Sequence, residues 1–134
     1  MYKPKVGAVA FVEFFSQEPK AAQRFFQKVF GWEIRRERVN DTDIYYFRAG
    51  NGPEGHIMEP MGPRYPPSTV AFVRVRSVDS VLARVVKNRG KVLVPKYEVP
   101  GAGCFAWFSA PGGTVHAVYQ TQRRVKRRRV RRRP

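Results

Sequence analysis

The residues best placed to do chemistry sit on three stretches that read as strands. Residues 8–15, AVAFVEFF, are rich in aromatic and β-branched types and predict a strand. Side chains alternate across a strand, so Phe11, Glu13 and either Phe15 or Val9 share one face. On the strand predicted for Thr69 to Val75, the same parity groups Val70, Phe72 and Arg74. On the last strand, Thr114 to Gln120, it groups Val115, Ala117 and Tyr119. A carboxylate and a guanidinium are then expected to meet in a mostly aromatic pocket. There Arg74 would anchor an acidic group of a ligand, with Glu13 as orienter or base. The plainer alternative is a buried ion pair between the two halves, because buried charges are normally paired.

Other reactive side chains give weaker signals. His56, after a glycine on a short strand, could act as an acid or base near neutral pH, or bond to backbone while half-buried. His116 has the opposite parity to Ala117 and is expected to face a helix or solvent. Cys104 has no activating base or cation nearby in sequence and reads as a small packing residue. Trp107, Phe72, Tyr46 and Tyr119 suit the lining of a ligand cavity, which is typically apolar with few polar anchors. Phe14, Phe25, Phe26, Phe30 and Trp32 read as core. Gly101-Ala102-Gly103 lacks the third glycine and following helix of a dinucleotide fingerprint, and Gly112-Gly113 is a turn.

The elements that must position these residues follow from pattern. Pro19 opens a helix whose apolar face is Ala22, Phe25, Phe26, Val29 and Phe30, and Gly31 stops it. Short strands follow around Ile34, at Ile44–Phe47 and at Gly55–Met58, with Asn40-Asp41 as a turn. Residues 59–68, EPMGPRYPPS, form a proline-rich linker. A second helix carries Val78, Leu82, Val85 and Val86 and ends near Gly90. Strands are then expected at Lys91–Val94, stopped by Pro95, at Cys104–Phe108 and at the C-terminal end of this part. Each half therefore reads strand, helix, three strands. FVEF before the first helix matches FVRV before the second, and VFGWEI matches NRGKVL. The fold class is α+β: two βαβββ modules within residues 1–122, about 6–60 and 69–121.

Composition narrows the rest. The 134 residues hold 26 Lys plus Arg and 10 Asp plus Glu, a formal net charge of +16. Nine of the basic residues and no acidic one lie in 123–134, which leaves 17 against 10 over 1–122. The nine are Arg123, Arg124, Lys126, Arg127, Arg128, Arg129, Arg131, Arg132 and Arg133. Like charges at this density repel, so a disordered tail is expected, able to bind RNA, DNA or another polyanion by counterion release. One cysteine excludes an internal disulfide framework and a multi-cysteine metal site. No apolar run approaches a membrane span. The N-terminal stretch is interrupted by Glu13 and reads as a strand rather than a leader, so a cytoplasmic protein is expected.

The phrases FVEFFSQEPKAAQRFFQKVFGWEI, GKVLVPKYEVPGAG and FSAPGGTVHAVYQ resemble the vicinal oxygen chelate superfamily of glyoxalases, bleomycin-resistance proteins and extradiol dioxygenases. The resemblance runs from about Val9 to Gln120 and is nearest to the compact single-domain members. It implies two βαβββ modules whose sheets curl round a shared cavity, and a homodimer. In metal-bearing members, four inward strand positions hold one divalent ion. Those positions fall here on Phe11, on Val70 (Phe72 if the alignment slips by two), on Ala117 and near His56. Phe11, Val70 and Ala117 cannot donate to a metal, and a catalytic divalent site normally takes three protein ligands. No metal and no other cofactor is therefore expected, nor metal-dependent glyoxalase or dioxygenase activity. The first expectation for function is a protein that binds a small organic ligand between the modules through Glu13, Arg74, Phe11, Phe72, Trp107 and Tyr119. The alternatives are a metal-dependent lyase, isomerase or dioxygenase with a rearranged site using His56, Glu13 and Glu59, and a nucleic-acid-associated protein acting through the basic tail.

Overall fold

Ten elements follow one another as two copies of one order. The first copy is β1 (Val9–Phe15), α1 (Pro19–Phe30), β2 (Glu33–Val39), β3 (Thr42–Arg48) and β4 (Glu54–Met58). The second is β5 (Ser68–Arg74), α2 (Val78–Lys87), β6 (Lys91–Val99), β7 (Gly103–Ser109) and β8 (Val115–Thr121). The structure is a computed structural model and describes residues 4–48, 52–62 and 67–122.

Local chemistry sets the boundaries. Pro19 takes the first turn of α1, and Gly31 ends the helix at φ 68° with its N–H bonded to the Gln27 carbonyl. The Ser77 hydroxyl caps α2 by accepting from the Ser80 N–H at 3.2 Å. The Gln120 side chain on β8 accepts from the Val78 N–H at 2.9 Å, which ties α2 to the sheet. Asn40 and Asp41 both take positive φ, the conformation a two-residue hairpin needs between β2 and β3.

The strands form one eight-stranded sheet in the order β2-β3-β4-β1-β5-β8-β7-β6. β1 lies antiparallel to β5, while β1–β4 and β5–β8 are parallel. Phe11 pairs with Phe72 across β1–β5. These are equivalent positions in the two copies, so the local two-fold of the repeat passes between them. Both helices cover the same face. Ala22 and Phe26 of α1 pack over Val12, Phe14, Tyr45, Phe47 and Ile57. Val78, Val81 and Leu82 of α2 pack over Val73, Ala106 and Val118. The opposite face carries a third cluster of Phe15, Val70, Phe72, Trp107 and Ala117, to which no helix contributes. Burial there comes from the sheet curling over its own inner side. The fold is α+β, as the repeat implied.

Two expectations are corrected. β6 does not stop at Pro95 but runs on to Val99, with register shifts between Val92 and Val94 and between Val94 and Tyr97. It is the outermost strand, where a residue without an N–H costs no ladder bond. Phe25 and Phe30 are not core: they are 58% and 60% exposed. The α1 helix meets the sheet through the Ala22–Phe26 stripe, and Phe25 sits about 100° round the axis from it.

Candidate functional site

One row of paired residues crosses the inner face of the first module. Glu13 on β1 pairs with His56 on β4, His56 with Tyr46 on β3, and Tyr46 with Arg35 on β2. Strand pairing puts all four on one side of the sheet. The contacts follow the row. The His56 Nδ1 lies 2.6 Å from Glu13 Oε1. The Tyr46 ring meets His56 edge-on at 4.7 Å between centroids. The Arg35 guanidinium lies 5.7 Å from the Tyr46 ring centre and 2.9 Å from Glu37. The row thus runs from an exposed guanidinium to a buried carboxyl.

Glu13 is the chemically distinctive member. It is 7% exposed, and Oε2 has no hydrogen-bond partner among the described residues. Burial raises its pKa above the ordinary carboxyl value, and the hydrogen bond and charge of His56 oppose that rise. Tyr46 is also raised, first by partial burial and then by the Glu37 and Glu13 carboxylates. Such a pair can hold a proton between a carboxyl and an imidazole, or hand it to a bound molecule.

The walls around this pair are rings. Phe11 stacks on Phe72 at 4.5 Å, lies 4.9 Å from His56 and contacts Tyr119 at 5.3 Å. Phe72 meets Trp107 edge-on at 5.9 Å. The expected lining residues Phe11, Phe72, Trp107 and Tyr119 therefore do gather on the inner face.

Arg74 does not join them as expected. Glu13 sits opposite Val70, not Arg74. Arg74 is four residues further along β5, about 13 Å away at strand spacing. Its Nη1 donates instead to the Pro4 carbonyl at 2.9 Å. Glu13 and Arg74 are equivalent in the repeat, so the two-fold that relates them also keeps them apart. His116 lies 2.9 Å from the Thr114 hydroxyl and packs on Phe108. Cys104 packs beside Val78, Ala106 and Val118 under α2. Glu59 is exposed beyond β4. The nine basic residues from Arg123 to Arg133 lie outside the described residues.

The positions that the resemblance assigns to a metal are Phe11, Val70, Ala117 and His56. The first three bury carbon only, in or beside the ring cluster. Among the described residues no three His, Cys, Asp or Glu side chains are grouped to hold a metal ion. These side chains do not fit a divalent cation. Two inner-face residues escaped the sequence. Arg35 is one of several arginines in RRER, and only the β2–β3 register singles it out. Tyr97, whose hydroxyl accepts from Trp107 Nε1 at 3.0 Å, lies in the part of β6 that Pro95 concealed.

No family model matches the sequence. The curated protein "Putative glyoxylase CFP32", from Mycobacterium tuberculosis and Mycobacterium bovis, is 26% identical over 124 residues, covering 89% of this chain. The chain spans about half the length of these relatives, 48%. Among solved structures, a methylmalonyl-CoA epimerase from Mycobacterium tuberculosis superposes with a TM-score of 0.67 at 11% identity, covering 92% of this chain and 93% of its own. A glyoxalase/bleomycin resistance protein/dioxygenase superfamily member from Vibrio splendidus superposes at 0.59 with 14% identity, covering 84% and 97%. Repeated modules, sheet order and these likenesses agree: the chain has the fold of the glyoxalase/bleomycin resistance protein/dioxygenase structures, and its similarity to CFP32 supports the resemblance to the vicinal oxygen chelate superfamily.

Proposed function

We propose that this chain binds a small organic ligand on the inner face of its sheet, with Glu13 and His56 as the polar anchor in place of a metal ion. The observation that carries this is the Glu13 carboxyl, buried with Oε2 lacking a partner among the described residues. A buried oxygen left unpaired costs about 1–3 kcal/mol, which a ligand donor would recover. The surrounding rings of Phe11, Phe72 and Tyr119 offer flat apolar walls, the usual make-up of a small-molecule site. Phe11, Val70 and Ala117 supply no metal donor. In this site His56 holds the carboxyl in place and shares its proton, Glu13 meets the ligand's polar group, and the rings exclude water. CFP32's name speaks of a glyoxylase and the solved neighbour's title of an epimerase; neither activity transfers at these identities.

Untagged protein, stripped and then offered Mn, Fe, Ni, Co and Zn separately, tests the metal half. A small-molecule screen by thermal shift, run beside Glu13→Gln, tests the ligand half. Metal at background is expected, together with ligands that raise the melting temperature of the parent more than that of the variant. One tight ion per chain would overturn the proposal in favour of a metal-dependent lyase, isomerase or dioxygenase using His56, Glu13 and Glu59.

A further inference from the structure

The local two-fold between the modules runs through the Phe11–Phe72 pair, and what flanks that pair is not symmetric. Glu13 stands two residues beyond Phe11 on β1, and Arg74 two residues beyond Phe72 on β5. The strands are antiparallel, so the two residues lie at opposite ends of one line across the inner face, about 13 Å apart along the strands. The neighbouring strands repeat the plan: His56 flanks Glu13, and Tyr119 flanks Arg74. Both flanking rings lie against Phe11, at 4.9 and 5.3 Å between centroids. Between the ends the surface is carbon, from the Phe11 and Phe72 rings stacked at 4.5 Å and 18°.

The two ends differ in charge and in what they already bind. The Glu13 carboxyl is buried, with one oxygen lacking a partner among the described residues. The Arg74 guanidinium is half-buried. Arg35, Arg48 and His56 each have a carboxyl beside them, from Glu37, Glu54 and Glu13. Arg74 has no carboxylate beside it among the described residues. It uses Nη1 on the Pro4 carbonyl, and its other N–H groups keep the fork geometry that suits a carboxylate. A lone guanidinium matches the single charge of a carboxylate better than a phosphate, which carries more than one.

We infer that the inner-face ligand is an elongated aromatic carboxylic acid. Its ring lies along Phe11, Phe72 and Tyr119, its carboxylate goes to Arg74, and a hydroxyl or amino group at its far end donates to Glu13. This rests on the inner-face site proposed above and adds the ligand's class and direction. The reversed pose would set a carboxylate against the Glu13 carboxyl, so the unlike ends of a near-symmetric surface fix which way the ligand lies. A guanidinium that only latched the N-terminal segment would need the Pro4 contact and nothing more.

The test is a calorimetric titration of the full chain with three naphthalenes: a hydroxynaphthoate with its two groups at opposite ends, naphthol and naphthoate. Hydroxynaphthoate is expected to bind about ten-fold tighter than either of the others. Arg74→Gln should bring it down to the level of naphthol, and Arg74→Lys, which keeps the charge but not the fork, should retain part of the gain. Glu13→Gln should bring it toward naphthoate. Should Arg74→Gln not fold, the uncharged methyl ester of hydroxynaphthoate makes the same comparison in the parent. Hydroxynaphthoate no tighter than naphthol, or a gain that survives Arg74→Gln, overturns the assignment of Arg74, while weakening by Glu13→Gln keeps the inner-face site. Binding of all three that ignores both variants overturns the site and the assignment together. No binding of any of the three, beside screened ligands that depend on Glu13, overturns the aromatic acid alone; no binding of any ligand overturns both.

Discussion

The two modules share a backbone plan and fill it oppositely. Glu13, His56, Tyr46 and Arg35 cross the first module in one paired row. The equivalent row of the second module is Arg74, Tyr119, Phe105 and Tyr97. In the neighbouring row, Phe11, Glu54, Arg48 and Glu33 correspond to Phe72, Ala117, Trp107 and Val94. One module thus shows titratable groups and ion pairs on its inner face, and the other a wall of rings and aliphatics. Register decides which side chains meet, and residue type decides whether the meeting is packing or chemistry. The buried carboxyl lies where the two kinds of surface join, beside the Phe11–Phe72 stack.

The comparison is sharpest at Trp107, whose counterpart is Arg48. Trp107 is 3% exposed and meets Phe72, Phe15 and the Tyr97 hydroxyl. Trp107→Ala should cost about 3–5 kcal/mol, read as a lower urea midpoint. A cost below about 1 kcal/mol would mean that the ring wall is not a core. Gly55→Ala on β4 should come next, at about 1–3 kcal/mol. A methyl there would run into the Phe47 ring, which is held between Trp32 and Phe14.

Much of this contrast was legible in the sequence. Strand parity put Phe11 and Glu13 on the face that Phe72 and Ala117 share, and the repeat of FVEF and FVRV gave the two-fold. Parity does not reveal register. It could not show that Glu13 would face His56 and Val70, nor that the helix of Phe25 and Phe30 would use only part of its apolar surface. Pro95 misled because its meaning depends on whether a strand is central or at the edge, which is a property of the assembled sheet.

The Glu13–His56 pair gives effects of intermediate size. His56→Leu would leave Glu13 Oε1, like Oε2, without a partner, at about 1–3 kcal/mol. Burial holds the folded carboxyl above its ordinary value of 4.5. As pH rises, the unfolded chain gives up this proton first while the folded chain keeps it. The carboxyl's contribution to stability is thus greatest below about 4.5 and falls through the raised value. Glu13→Gln should flatten that fall, measured as urea midpoints across pH. A parent and variant with parallel pH profiles would show that His56 fully offsets the burial.

Arg48→Ala should have the smallest effect, and its size decides what the inner face of the first module is. The Arg48 Nη2 lies 2.8 Å from Glu54 Oε1, with both side chains about half exposed, 49% and 46%. Solvent-screened pairs of this kind contribute about 0–1 kcal/mol. The same position in the second module holds Trp107, so one backbone site should tolerate truncation in one module and not in the other. Chemical denaturation of Arg48→Ala beside Trp107→Ala measures the gap directly. A loss above about 2 kcal/mol at Arg48 would break the comparison. It would show the ion pair shielded from water in solution, as happens when something else covers that face.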